Sequence, residues 1–209
     1  FARTKTKIFI FDKKYSQKAE KFIRDIKINN KNLSIFKLSK LKLSEKIDLC
    51  IISTNSNVRE YLTSIVLNKI SCSYIILEKV VFQTLKSFDH IIKVSAQKNI
   101  KIFVNCPRRA MTVFKNIKKK LNNLSDPLHL SYTGSNWGLC SNAIHFVDLF
   151  FYFVNYKENY EIKTNLKNRV FNSKRGLYYE LKGKVSLKNS NSILTLDDNI
   201  KFKNSNLEI

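Results

Sequence analysis

The sequence predicts an α/β doubly wound parallel sheet followed by an α+β region built on an open antiparallel sheet. Three observations carry this prediction. Short apolar runs alternate with amphipathic stretches through the first 125 residues, the pattern of repeated strand and crossover-helix units. After Pro127 the pattern changes to runs of alternating polarity separated by Asn, Gly and Asp, the mark of antiparallel strands joined by turns. With 209 residues, 44% of them hydrophobic, the chain has enough apolar surface for one large domain or one and a half.

The elements follow in order. KIFIFD (7–12) predicts a strand, and SQKAEKFIRDI (16–26) a helix with Ala19, Phe22, Ile23 and Ile26 on one side. LSIFKL (33–38) is a short strand. DLCIIST (48–54) is a continuous apolar run, as expected of a strand covered on both faces. A helix over 57–69, a strand over 74–78, a helix over 85–97 and a strand over 100–105 continue the alternation. RRAMTVFKNIKKKLNNL (108–124) predicts one helix with Met111, Phe114, Ile117 and Leu121 on its apolar stripe. Beyond it, LHLSYTGS (128–135) is a strand, and LCSNAIHFVDLFFYFV (139–154) is apolar enough to be a buried helix. YEIKTNL, GLYYELKGKVSLKN, SILTLDD and NIKFKN then alternate as strands. The expected division is a first domain over 1–126 and a second, C-terminally incomplete one over 127–209.

Composition narrows the function classes. A formal charge of +22 invites a nucleic-acid reading, but Lys and Asn are abundant, Arg, Ala and Gly scarce, and Ile dominates the aliphatics. A/T-rich codon usage produces that profile. The basic residues are also dispersed, which favours solvated faces over a polyanion groove. No apolar run reaches the roughly 18 residues of a membrane span, and no signal peptide opens the chain. Cys50, Cys72, Cys106 and Cys140 form no C-x-x-C pair, which suits a reduced cytoplasmic protein. Met111 is the only methionine, so Phe1 reads as the start of a processed chain or a fragment.

Open parallel sheets bind ligands at the carboxyl ends of their strands. The predicted strands end in Asp12, in Ser53, Thr54 and Asn55, in Glu78 and Lys79, and in Asn105 with Arg108 and Arg109 beyond. Polar groups at so many neighbouring ends predict a cleft. Lys79 is the sharpest candidate, since a cleft lysine can donate to or exchange a proton with a substrate oxygen; its bland reading is an ion pair with Glu78. His145 and Asp148 stand at i and i+3 on an otherwise apolar helix, so both share one face and suit an oriented acid/base pair. His90 and His129 show no ligand spacing with His145, so no metal site is expected.

These residues carry a resemblance. D-L-C-I-I-S-T-N, then Y-I-I-L-E-K, then G-S-N-W-G-L-C-S-N-A-I-H-F-V-D together resemble the glucose–fructose oxidoreductase / inositol dehydrogenase / MocA (Gfo/Idh/MocA) family over residues 5 to 155, in order. The resemblance implies a Rossmann-type NAD(P)-binding domain joined to an open-faced sheet domain, and oxidation or reduction of a sugar or cyclitol. By it, Lys79 matches the substrate-contacting lysine of the family's E-K-P motif, His145 the acid/base histidine, and Asp148 the acid of the same motif. Ser53, Thr54 and Asn55 match the cofactor-contacting segment, Glu78 lies near the nicotinamide ribose, and Asp12 matches the ribose-binding acid, which favours NAD over NADP. Along the same cleft Asn105 and Trp137 are candidates on the cofactor side, and Arg108 and Asn142 on the substrate side.

Two departures stand against the match. Val80 replaces the family's usual proline, leaving the turn that holds Lys79 less constrained. All four glycines, Gly134, Gly138, Gly176 and Gly183, lie in the second half, so no G-x-G-x-x-G cradles a pyrophosphate. By the resemblance the sequence reads as an NAD-dependent oxidoreductase, and it is expected to lack that family's first strand, Gly loop and most of the first helix. Its expected partners are a sugar-like small molecule and, through the sheet domain, copies of itself. The alternatives are a non-catalytic pseudoenzyme or a basic polyanion-binding module.

Overall fold

The computed structural model describes residues 5–10, 21, 23–25, 32–37, 45–122, 127–155, 159–173, 176, 178–199 and 201–209. Asp12 lies outside the described residues. Of the expected helix over 16–26, residues 21 and 23–25 are described, and they are helical.

Strand β1 (Thr6–Ile10) pairs in parallel with β2 (Leu33–Lys37), Thr6 opposite Leu33. Strands β3 (Ile47–Ile52), β4 (Cys72–Leu77) and β5 (Lys101–Val104) form a second parallel ladder with β4 at its centre. Two helices connect them, α1 (Ser56–Lys69) between β3 and β4, and α2 (Leu85–Gln97) between β4 and β5. The Thr84 side chain caps α2 by accepting from the Ser87 N–H, satisfying one of the orphan donors of the first turn.

Both helices cover the same face. Ile52, Ile75 and Leu77 from the strands meet Leu67 of α1 and Ile91 of α2 in one buried cluster, closed by Val81 and Phe82 after β4. Strand residues alternate between faces, so Leu49, Ile51, Tyr74 and Phe103 share the other one through the registers of β3, β4 and β5. These four are 45%, 63%, 43% and 52% exposed. The strand expected over 48–54 ends at Ile52, and among the described residues one of its faces is covered.

The expected helix over 108–124 is also corrected. Pro107–Ala110 forms a short 3-10 turn, Met111 is extended at φ −71° and ψ 138°, and α3 (Thr112–Leu121) starts after it. Proline at the first position lacks the N–H that would be unpaired there in any case, and the extended Met111 interrupts the helical run. Its Phe114, Ile117 and Leu121 pack against the second core.

That core lies between a five-stranded sheet and one helix. The sheet runs β12 (Asn206–Glu208), β6 (Leu128–Gly134), β11 (Ser192–Asp198), β10 (Gly183–Lys188), β7 (Glu161–Leu166). All neighbours are antiparallel except β6 and β11, which run parallel. Helix α4 (Leu139–Val154) buries Phe146, Leu149, Phe150 and Phe153 against Leu130, Leu187, Leu194 and Leu196. Each such side chain removed from water contributes on the order of 1.5–3 kcal/mol. Two strand expectations shift. The 176–189 stretch divides into a short β9 (Tyr179–Glu180), paired with β8 (Phe171–Asn172), and β10. At the division Gly183 adopts φ +130°, and a Cβ there would collide with the Asn165 carbonyl. The described residues of NIKFKN form no strand, and the last strand forms after them at β12.

Candidate active site

Two parallel strand ends and the first turns of α4 supply the site. Leu77 is 1% exposed, so β4 is anchored up to its last residue, and the chain emerges there with Glu78 and Lys79. The Lys79 Nζ donates to the Ser141 carbonyl at 2.8 Å and to Asn142 Oδ1 at 2.9 Å. Asn142 is fixed in turn by its Nδ2, which donates to the Trp137 carbonyl at 2.6 Å. One further turn along α4 stands His145, half-buried, with its Nδ1 buried and without a hydrogen-bond partner. Helix geometry places residues three apart on one face, so Asn142 carries Lys79 onto the face that carries His145.

The charged groups around the imidazole set the direction of its titration. Burial pushes the His145 pKa down, and the Lys79 and Arg108 cations push it further; Glu78 and Asp148 oppose them. His145 is therefore a neutral imidazole at pH 7, able to accept a proton. Arg108 lies over the Phe146 ring, 3.9 Å from guanidinium carbon to centroid, and burial lowers its pKa. At the next strand end the Asn105 Nδ2 donates to Glu78 Oε2 at 2.8 Å, joining two of the candidate cofactor-side residues.

Not every candidate sits as expected. The Asp148 carboxylate is taken by Arg109, whose Nε donates to Oδ2 at 2.9 Å and whose Nη2 bonds Oδ1. The same nitrogen donates to the Asp148 carbonyl at 3.3 Å. The bond expected from Asp148 to the imidazole is replaced by this fork, which is bidentate and so the stronger geometry. Trp137 packs edge-on to Tyr132 and Phe146 at 5.0 and 5.7 Å, and its Nε1 donates to the Asp197 carbonyl at 3.0 Å. Its observed contacts are those of a core residue. Ser53 and Asn55 are exposed at the end of β3, and Thr54 Oγ1 is buried without a partner.

The sequence reading missed Arg59. This residue is 2% exposed and donates from Nη1 to the Val81 carbonyl at 2.8 Å and to that of Val80, and from Nη2 to that of Thr54. An arginine early in a polar helix reads as a solvated charge, and no pattern in the chain marks it otherwise.

The donor set fits part of a dinucleotide. Ser53, Asn55 and Asn105, exposed at neighbouring strand ends, and the half-buried Glu78 offer donors and acceptors that suit a ribose and its nicotinamide. A pyrophosphate needs a glycine-rich cradle, and none of the four glycines lies at these strand ends. Among the described residues no group of His, Cys, Asp and Glu could hold a metal ion, and no helix is long and apolar enough to cross a membrane.

No family model matches the chain, and no curated protein matches it by sequence. Solved structures do. The dehydrogenase MviM from Clostridium difficile superposes with a TM-score of 0.62 at 17% identity, over 99% of this chain and 74% of that one. The myo-inositol dehydrogenase of Lactobacillus casei, solved with NAD(H) and myo-inositol, gives 0.64 at 17% identity over 97% of this chain. A super-repressor mutant of Gal80p from Saccharomyces cerevisiae gives 0.63 at 15% identity over 95% of this chain. The chain spans 62% of the inositol dehydrogenase and 60% of Gal80p. What is shared at these identities is architecture: parallel strands with helices, then a mixed sheet backed by one long helix, the fold of the Gfo/Idh/MocA-type oxidoreductases.

Proposed function

We propose that this chain is the catalytic part of an NAD-dependent oxidoreductase that moves hydride between nicotinamide and the carbinol carbon of a sugar, cyclitol or related hydroxyl compound. The observation that carries the proposal is the Lys79–Asn142–His145 cluster, where a lysine at the end of β4 meets the face of α4 that carries a neutral histidine. A bound nicotinamide would supply the hydride acceptor. Ser53, Thr54, Asn55, Glu78 and Asn105 would hold its ribose side, and Asp12, matched by the family resemblance, would select NAD over NADP by repelling a 2′-phosphate.

The chain's own residues would handle the proton. His145, kept neutral by burial and by two neighbouring cations, accepts the hydroxyl proton as the carbinol becomes a carbonyl. Lys79 donates a hydrogen bond to the same oxygen and stabilises the negative charge that develops there. Asn142 and the Ser141 carbonyl hold the ammonium in place before substrate arrives. Arg108, fixed over Phe146, supplies a further donor for a polyol. Asp148 acts at a distance, as one of the two negative charges that moderate the cationic field at the imidazole.

In this reading the domains divide at 126/127, with α3 lying across the junction. The open face of the mixed sheet pairs copies of the chain, and four free cysteines, all with thiol pKa values raised by burial, suit the cytoplasm. The test is steady-state turnover on a panel of polyols, together with calorimetric titration of NAD and NADP. Lys79→Ala and His145→Ala should each lower kcat by about 10²–10⁴-fold, the usual contribution of a positioned acid/base, with NAD affinity little changed. Turnover that survives both substitutions would overturn the assignment.

One observation favours a second reading: the glycines all lie beyond the strand ends where a pyrophosphate would sit. A non-catalytic member of the fold would keep the Lys79–Asn142 bond as a structural bridge. Lys79→Ala separates the two readings, since loss of a structural bridge should lower the melting temperature whereas loss of a proton-handling group should lower turnover with the melting temperature little changed.

A further inference from the structure

We infer that Arg59 is a positioning residue that couples the end of β3 to the Lys79 turn; the inference rests on the oxidoreductase reading above for its catalytic consequence. Burying a guanidinium is costly unless its charge is paired or its N–H groups are satisfied. Among the described ion pairs none involves Arg59. Its N–H groups instead reach the carbonyls of Thr54, Val80 and Val81, with Nε left unpaired.

The three acceptors belong to two different strand ends. Thr54 follows β3, in the segment assigned to the cofactor side. Val80 and Val81 follow β4, directly after Lys79. Arg59 itself is anchored in α1, where its own carbonyl accepts from the Thr63 hydroxyl at 2.7 Å, and Thr63 is fully buried. A rigid planar fork thus ties both strand ends to one helix. The tie acts at the right place. Leu77 on one side and Val81 and Phe82 on the other are buried, which leaves Glu78, Lys79 and Val80 as the only residues of the turn outside the core. The carbonyls that Arg59 holds set where that short span leaves and re-enters, and so set the direction in which Lys79 reaches Ser141 and Asn142. Lysine cannot substitute for this, because one ammonium on a flexible stem cannot span acceptors on two strand ends as the planar fork does.

The experiment is competitive amine labelling of the whole chain with a succinimidyl ester, read peptide by peptide by mass spectrometry, in wild type and Arg59→Lys. Lys163, with a side chain 67% exposed, is the internal reference. Freed from its two acceptors more of the time, Lys79 should label several-fold faster in a folded Arg59→Lys variant, about 5-fold for a locally opened turn, while Lys163 stays constant. Equal Lys79 labelling in the two folded proteins would overturn the inference, since a purely stabilising arginine changes the melting temperature but not the local exposure of one lysine. Hydrogen exchange on the wild type gives an answer even if the variant does not fold. The Glu78 amide, which donates to the Ile52 carbonyl at 3.1 Å and so joins the same two strand ends, should exchange through the same slow opening as the amides of α1, and exchange about 100-fold faster than α1 would overturn the tie. Neither readout uses turnover, so failure of the hydride-transfer reading leaves both intact. Where turnover is present, Arg59→Lys should lower kcat by roughly 10–100-fold with substrate KM changed less than about threefold, the signature of a misplaced reacting group.

Discussion

Burial and two cations act on His145 in the same direction, and the sign of that shift has a measurable consequence. The folded chain holds the imidazole pKa below its ordinary 6.5, so between the two values the unfolded chain binds more protons than the folded one. Stability therefore rises with pH across that window and is lost as pH falls through 6.5 toward the lower folded value. Replacing His145 with Gln removes the titration. The urea midpoint of His145→Gln should consequently fall less between pH 7 and pH 5 than that of wild type, and parallel curves would show that the imidazole is not desolvated as described. The same shift extends the pH range in which His145 can act as a base, so the acid limb of turnover should lie below pH 6.5. At this scale the sequence reads well where chemistry follows a strand or helix period. Glu78 and Lys79 interrupt an apolar run, His145 interrupts an apolar helix, and the fold joins Lys79 to Asn142, one turn before His145. It reads poorly where a side chain's partner is distant. Arg109 captures Asp148 and Arg59 captures three carbonyls, because each meets a segment that only the folded chain brings near.

Helix α4 and the turn at Pro107–Ala110 show what one ion pair can do between elements. Arg109 is 47% exposed and Asp148 18%, so solvent screens the pair and its contribution to stability is small, about 1 kcal/mol at most. Its geometric effect is larger, since it fixes the turn that carries Arg108 against the helix that carries His145. Asp148→Asn should accordingly lower turnover by less than about tenfold, whereas an acid that oriented the imidazole directly would cost on the order of 10⁴-fold. A kcat measured on this one variant decides between the two roles. Stability resides elsewhere on the same helix. Phe150 is fully buried among Leu149, Phe153 and the strand leucines, and Phe150→Ala should cost about 3–5 kcal/mol in denaturant unfolding. The helix itself is legible because nearly every position is apolar. The breaks at Met111 and Gly183 are less so: one depends on a backbone setting in a helical pattern, the other on how closely two strands approach. The last strand is hard to place because NIKFKN alternates as a strand does, yet the pairing with β6 forms later, at Asn206–Glu208.

Over the whole molecule the dominant physical fact is charge. Among the described residues few local pairs oppose the formal +22: of three ion pairs, Lys7–Glu45 and Lys163–Glu161 join side chains open to solvent by a third or more, where pairing contributes little. Self-repulsion then works against the compact state, and salt should relieve it, because the Debye length shrinks from about 30 Å at 0.01 M to about 10 Å at 0.1 M. Raising NaCl from 10 mM to 300 mM should therefore stabilise the chain, by roughly 2–4 °C in melting temperature for each kcal/mol of repulsion removed. The same charge invites polyanions, and the salt dependence of that binding tests the rival function. Cations dispersed along the chain can neutralise only a few phosphates at once, so log K against log salt for a duplex DNA should have a shallow slope, near −2 to −4 at about −0.9 per phosphate. A nucleic-acid module gathers its cations on one face and gives a steep slope, beyond about −6 for seven or more contacts. A shallow slope leaves the Lys79–His145 cluster as the feature that function must explain; a steep one would place function on the charged surface instead.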